Sequence, residues 1–517
     1  MKRVFLFSLL ALPLTGIAAP ATLDAIWPPG AKRGTGIDVT LTGKLDPWPC
    51  QLNFSGKGFT FTPNKDKKGT GKLEIAADAP TGPLVVRATN PEGVSAPQLF
   101  IVGDLPEILE EDKDDNTIAG AQVIDAAKLP FVVNGRLPGN NELDAFKLTL
   151  KKGETIHAAV EGYTIRSLID PVLHLYGPDG NRLAMEHDGA VHLDPRMEFT
   201  APEAGDYTFA VTAFAHPPAA SISFRGGKNA QYRLYLARNP EAFPKHLLTT
   251  DPGPDTKENK LSAGKTAAGT LSKPGEVDRY TFTGKKDEQH LITVEAAGLG
   301  FATDPVLQIF KPDGALLKLV DDANKESDPE YLWKVAADGE YAIAVSDRFL
   351  RGGPQLRYRV GASKPVPGFT ATIEKSEYLL ERGKSVDIKV KVTRLHEDKE
   401  NLVFEIPDLP DKLTFTGPDK VPEKGGDVTL KLEAKGDAPA FQKPLTIHAF
   451  VTDKDGRKTG KPIAAYHSFK TDPNYRGPYA LIDLPAVWLT IPPKKEEPKK
   501  DEPKKADPKK EEAKKAK

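Results

Sequence analysis

One cysteine, Cys50, stands in 517 residues, which excludes a disulfide framework and a zinc module built on thiolates. Charge of one sign is missing too. The 71 Lys and Arg face 72 Asp and Glu, so no global basic field exists to gather nucleic acid. Past the N-terminus, no stretch reaches the roughly 18 apolar residues of a membrane-spanning helix. Segments with helical period and caps are scarce, which leaves no helix N-terminus to hold a phosphate. No H-E-x-x-H helix, P-loop or dinucleotide glycine fingerprint occurs. Gly93-Val94-Ser95-Ala96-Pro97 lacks the second glycine of a serine-hydrolase elbow and leads into another strand. These absences argue against an enzyme.

What is present suffices to fold. Hydrophobic residues make up 39% and aromatics 8%, which excludes wholesale disorder. At about 100–150 residues per domain, the length implies about four domains. Residues 1–18 read as a secretory signal peptide: Lys2 and Arg3, an apolar core from Val4 to Leu14, then small residues from Gly16, with cleavage after Ala18. The expected location is therefore periplasmic or extracellular. Residues 492–517 read as a disordered tail. From Lys494 onward it holds 11 Lys, seven acids and no aromatic, so nothing there can offset the entropy of ordering. Such a tail acts as a solubilising spacer or reaches anionic envelope polymers. Cys50, with no His close in sequence, is expected to be a small core residue.

The middle of the chain repeats. A shift of 134 residues aligns Gly135 with Gly269, Asp144 with Asp278, and Phe146 with Tyr280. It also aligns Asp170-Pro171-Val172-Leu173 with Asp304-Pro305-Val306-Leu307, Pro178-Asp179-Gly180 with Pro312-Asp313-Gly314, and Asp194-Pro195 with Asp328-Pro329. Gly205-Asp206-Tyr207 then falls on Gly339-Glu340-Tyr341. The register afterwards slips by eight, so Arg225-Gly226-Gly227 matches Arg351-Gly352-Gly353 and Tyr232 matches Tyr358. The first copy should carry a longer loop near His216 to Ser223. Within each copy, alternating runs such as Ala145 to Leu150 and Tyr207 to Val211 lie between Pro-Asp-Gly turns. Short alternating strands at such spacing predict an all-β protein of tandem sandwich or jelly-roll domains.

A strand with Asp-x-Phe/Tyr at its end, then D-P-V-L, P-D-G, an acidic turn, G-[DE]-Y and R-G-G before a last Tyr-bearing strand resembles the bacterial pre-peptidase C-terminal domain. That family is a jelly-roll-like sandwich found after secreted peptidases and in large surface proteins. The resemblance implies two copies, 104–240 and 255–363, with Glu110 to Thr117 similar to the family's acidic lead-in and only a degraded version in the second copy. Residues 19–103, with Pro28-Pro29-Gly30 and the run from Gly82 to Ser95, are similar to the immunoglobulin-like domain shared by plexins and transcription factors. Residues 366–491 alternate from Val386 to Val392 and from Val428 to Leu432, and read as another immunoglobulin-like sandwich. The layout resembles exported proteins of planctomycete-like bacteria.

Two clusters offer chemistry. His187, Asp188, His192 and Asp194 lie within eight residues and carry donors suited to zinc, yet only the aspartates recur, as Asp322 and Asp328. Calcium takes several carboxylate oxygens. Its candidate ligands are Asp115, Asp144 and Asp188 in the first copy, and Asp278 and Asp322 in the second, provided their loops meet at one end of the sandwich. Some relatives of the family use the acidic lead-in for calcium. The same aspartates also serve as turn caps, accepting from backbone N–H groups two residues on. Asp170 and Asp304, each before Pro, read as strand-start geometry. Trp27, Trp48, Trp333 and Trp488 are scattered over different modules and make no single binding platform.

The expected function is a non-catalytic, exported β protein that binds or organises a protein or polysaccharide at the cell envelope or outside it. Sandwiches in series would give a long, semi-rigid object with exposed loops. The family's company adds a second expectation, an accessory or substrate-targeting partner of a secreted peptidase. An unrecognised hydrolase is the third.

Overall fold

The computed structural model describes residues 19–494 apart from 112–116, 168, 216–222, 257, 323–327 and 471–480. The expected signal peptide, Asp115, most of the expected loop insertion at 216–223, and the tail from 495 onward lie outside the described residues. Within them the regular structure is strand, joined by turns and a few three-residue 3-10 turns. The protein is an all-β assembly of tandem sandwiches. The strand Val277–Gly284 shows why: VDRYTFTG buries every second side chain from Tyr280 onward, the period of a pleated strand with one face on a core.

Each repeat pairs two sheets with the same strand order. In the first, one sheet runs Glu107–Leu109, Phe131–Arg136, Gln231–Ala237, Thr155–Glu161, Arg196–Thr200. Its partner runs Gln122–Val123, Asp144–Leu150, Gly205–Ala215, Ile169–Tyr176, Arg182–Glu186. The second repeat keeps four strands of each: Lys265–Thr270, Arg357–Ser363, Gln289–Glu295, Glu330–Lys334, facing Val277–Gly284, Gly339–Asp347, Pro305–Phe310, Leu316–Val320. The first repeat adds one outer parallel strand to each sheet, Glu107–Leu109 and Gln122–Val123, on either side of its acidic lead-in. The two cores have matching anchors. Tyr207 donates to the Glu203 carbonyl at 3.0 Å, and Tyr341 to the Ala337 carbonyl at 2.8 Å. Trp333 fills the second core against Phe282 and Tyr341.

A separate core lies at each end. Near the N-terminus it gathers Val39, Leu41, Leu73, Val86 and Phe100, with Cys50 fully buried among them. The Cys50 thiol donates to the Leu45 carbonyl at 3.2 Å, and burial pushes it up to about 11, so it stays a thiol at neutral pH. Near the C-terminus the core gathers Ile388, Val390, Leu430, Leu432, Ile447 and Leu489.

The sandwiches are not strung end to end. Arg87 of the first reaches Glu377 of the last at 3.1 Å, 290 residues along the chain. Gln442 donates to the Asn90 carbonyl at 2.9 Å. The two-stranded ribbon His467–Lys470 with Leu481–Leu484 places Phe469 and Leu484 in one apolar cluster with Val85 and Leu99. Arg166 of the first repeat donates to the Pro97 carbonyl and lies over the Phe469 ring, so three sandwiches share this junction. Burying these apolar side chains between the first and last sandwiches favours the doubled-back course of the chain. Among the described residues, no helix is long and apolar enough to cross a membrane.

Candidate metal centre

The hairpin Ile169–Tyr176 with Arg182–Glu186 closes through Pro178-Asp179-Gly180-Asn181, where Asp179 accepts from the Asn181 amide at 3.0 Å and Gly180 takes a positive φ. Its register pairs Leu173 with Glu186, so the residues that follow Glu186 come level with those before Leu173. His187 Nε2 lies 3.2 Å from Asp170 Oδ1, and His187 Nδ1 lies 3.7 Å from Asp188 Oδ2. One donor atom from each of the three residues falls within 4.8 Å of the others. Asp170 is buried, His187 is partly buried and Asp188 is exposed, so the group opens to solvent on one side. Phe214, opposite Asp170 in the next strand, sets its ring edge-on to His187 at 5.1 Å.

The His187-to-Asp194 cluster suggested by the sequence is thereby split. Asp194 turns inward and accepts from the backbone amides of Gly162, Tyr163 and Thr164 at 2.7–2.9 Å, while its own amide donates to His192 Nδ1 at 3.1 Å. Asp328 does the same in the second repeat, accepting from Ala296, Ala297 and Gly298 at 2.8–3.1 Å. Burial raises the pKa of both carboxyls above the ordinary value, with these amide donors pulling the other way.

Of the calcium candidates, Asp144 is buried and accepts from the Tyr232 hydroxyl at 2.6 Å. Asp278 accepts from the Tyr358 hydroxyl at the same distance. Asp188 joins Asp170 and His187, whereas Asp144 is not in that group. Asp322 lies beside Asp304 and helps raise its pKa, after burial, against the pull of Arg348. Asp115 lies outside the described residues.

The second repeat fills the corresponding place differently. Asp304, Asp321 and Asp322 align with Asp170, His187 and Asp188, and Arg348 aligns with Phe214. The Arg348 guanidinium pairs with Asp321, and its backbone amide donates to the Asp304 carbonyl at 2.8 Å. Arg351 adds a second guanidinium, donating to Asp347 at 2.7 Å, and Asp347 accepts from the Asp304 amide at 3.1 Å.

Sequence reasoning read Asp170 as strand-start geometry, and it does lie at the start of the strand Ile169–Tyr176, but its place beside His187 and Asp188 was not foreseen. The signal was there. Folding a hairpin about Pro178-Asp179-Gly180 carries Asp170 to the neighbourhood of Asp188. Reasoning also missed a buried network in the first repeat. Arg233, fully buried, bridges Glu107 at 2.8 Å and the Tyr235 hydroxyl at 2.9 Å. Tyr235 in turn donates to Glu161, which His246 approaches at 3.0 Å. Burial works to raise the Glu161 carboxyl, but His246, Arg233 and Tyr235 together hold it down at about 2.

No protein-family model matches the chain. No curated protein matches it in sequence. Among solved structures, the chain is similar to the pre-peptidase C-terminal domain of collagenase from Bacillus anthracis. Identity there is 17%, over 22% of this chain and 93% of that one, with a TM-score of 0.17. It is also similar to domains 4 and 5 of the S-layer protein SbsC, at 12% identity over 36% and 76% of the two chains, TM-score 0.17. Fibronectin(III)-like modules of Clostridium thermocellum CbhA match at 11% identity over 46% and 91%, TM-score 0.13.

Proposed function

We propose that this chain is an exported, non-catalytic β scaffold that presents loops for binding at the cell envelope or outside the cell. One observation carries the reading. In both repeats polar side chains at matching positions, fully buried in the first and partly buried carboxylates in the second, hold strands and loops in place: Tyr232 on Asp144 and Tyr358 on Asp278, with Asp194 and Asp328 each gathering three backbone amides. Buried carboxylates committed to backbone amides rigidify a fold, and rigid frames with variable loops suit binding. The junction of three sandwiches at Arg87, Arg166 and Phe469 adds to that rigidity. The partner class is a protein or polysaccharide of the envelope.

Fractionation of cells producing the epitope-tagged chain tests this reading. Recovery outside the cytoplasm, with residues 1–18 absent by mass, is the expected result. Purified chain should then cosediment with isolated envelopes, and prior protease or glycosidase treatment of those envelopes identifies the partner class. Retention of the full-length chain in the cytosol would sink the proposal.

A further inference from the structure

The two repeats solve one electrostatic problem in two ways. At the open end of the hairpin, the first repeat gathers Asp170, His187 and Asp188, and the second has Asp304, Asp321 and Asp322 at the aligned positions, with Asp322 beside Asp304. In the second repeat the protein supplies its own counter-charge, since Arg348 pairs with Asp321 and Arg351 with the adjoining Asp347. In the first repeat the residue opposite Asp170 is Phe214, which brings no charge, and the residue in the place of Asp321 is His187. Asp170, buried at 9% exposure, lies beside an imidazole and a second carboxylate, where the aligned group of the second repeat has the Arg348 guanidinium; Arg351 has its match in Arg225 and does not distinguish the copies.

We propose that Asp170, His187 and Asp188 bind a divalent transition-metal ion of the zinc class, in place of the arginine with which the second repeat fills the same position. Two carboxylates and one imidazole form a donor set suited to such an ion, whereas calcium takes oxygens and wants six to eight of them. Tetrahedral donors at ~2.0–2.2 Å from zinc stand ~3.4 Å apart, so donors already within 4.8 Å need only a small contraction. The hairpin fixes Asp170 and His187 on facing strand ends, and Phe214 braces the His187 ring from the side. Three protein ligands leave a fourth position on the solvent side, open to water or to a donor from a partner. This inference concerns the first repeat alone and does not depend on where the chain resides.

The test is metal titration of the purified full chain after exhaustive chelation, by calorimetry and by competition with a chromophoric chelator, using zinc and calcium separately. One zinc per chain is expected, bound more tightly than calcium. Asp170→Asn and His187→Gln should each weaken zinc tenfold or more, since even second-sphere changes cost that much affinity. Phe214→Arg, which installs the second repeat's guanidinium, should weaken it likewise, while Arg348→Ala in the other repeat should leave this affinity unchanged. Circular dichroism of each variant shows whether it has folded. Absence of bound zinc in the wild type, unchanged affinity in folded Asp170→Asn and His187→Gln, or calcium bound as tightly as zinc would each overturn the assignment.

Discussion

Tyr232 donates its hydroxyl to Asp144 at 2.6 Å across the two facing sheets of the first repeat, and Tyr358 repeats that bond to Asp278 in the second. The ring passes over a glycine on the neighbouring strand. A Cβ on Gly135 would fall 2.1 Å from the Tyr232 oxygen, and one on Gly269 would fall 2.4 Å from that of Tyr358. Gly, Asp and Tyr therefore form one device, present twice. Tyr232→Phe removes a donor from a buried carboxylate and is expected to cost about 1–3 kcal/mol. Gly135→Ala forces the ring aside and is expected to cost about as much, by overpacking. Tyr358→Phe should cost less, because Asp278 is only partly buried. Urea unfolding of the four proteins measures this, and equal loss in the two tyrosine variants would contradict the burial argument.

Much of that device was legible in the sequence. Gly135, Asp144 and Tyr232 recur as Gly269, Asp278 and Tyr358 because a constraint built into each copy leaves residues at fixed spacing. The all-β fold was legible for the same reason, since alternation is local. Their partnership was not legible: Asp144 as a calcium candidate and Tyr232 as a strand residue lie 88 positions apart, and only sheet packing joins them. Asp170 was read only as strand-start geometry because a residue before Pro at a strand start has an adequate local explanation, and its nearness to His187 depends on the hairpin. The junction of Arg87 with Glu377 left no trace, since neither residue has a periodic or local reason to be where it is.

Asp194 and Asp328 each accept from three backbone amides at matching turns. Asp194→Ala is expected to cost about 3 kcal/mol or more, because buried N–H groups are left without partners. Asp328→Ala should be milder, its carboxyl being only partly buried. Differential scanning calorimetry resolves the two, and a larger loss at Asp328 would show that the second turn finds no substitute in water.

Glu161 gives the first repeat a defined acid response. Its carboxyl is held at about 2 in the folded chain, against 4.5 ordinarily. Between those values the unfolded chain binds a proton that the folded chain does not, so stability falls as pH drops through this window and is fully present above it. Glu161→Gln should flatten that part of the acid limb in urea unfolding between pH 2 and 6. An unchanged slope would mean that other carboxylates dominate the acid response.

Arg87 and Glu377 are unequal partners, and that inequality makes the junction testable. Arg87 is 3% exposed and also donates to the Ser95 carbonyl at 2.8 Å, whereas the Glu377 side chain keeps about a third of its surface. Burial lowers the Arg87 pKa, with Glu377 pulling it back up. Removing the carboxylate leaves a buried guanidinium with one carbonyl for company, but removing the guanidinium leaves a carboxylate that water can reach. Glu377→Ala is therefore expected to cost about 3 kcal/mol, and Arg87→Met less than about 2 kcal/mol, since its apolar stem still packs. Loosening should be local. Limited proteolysis should cut the Glu377→Ala protein faster between the first sandwich and the first repeat, near residue 104, and leave the repeats intact. If both variants lose the same stability and the cleavage pattern does not change, the ion pair does not hold the doubled-back arrangement, and the Phe469–Leu99 cluster with the Gln442 and Arg166 contacts carries it.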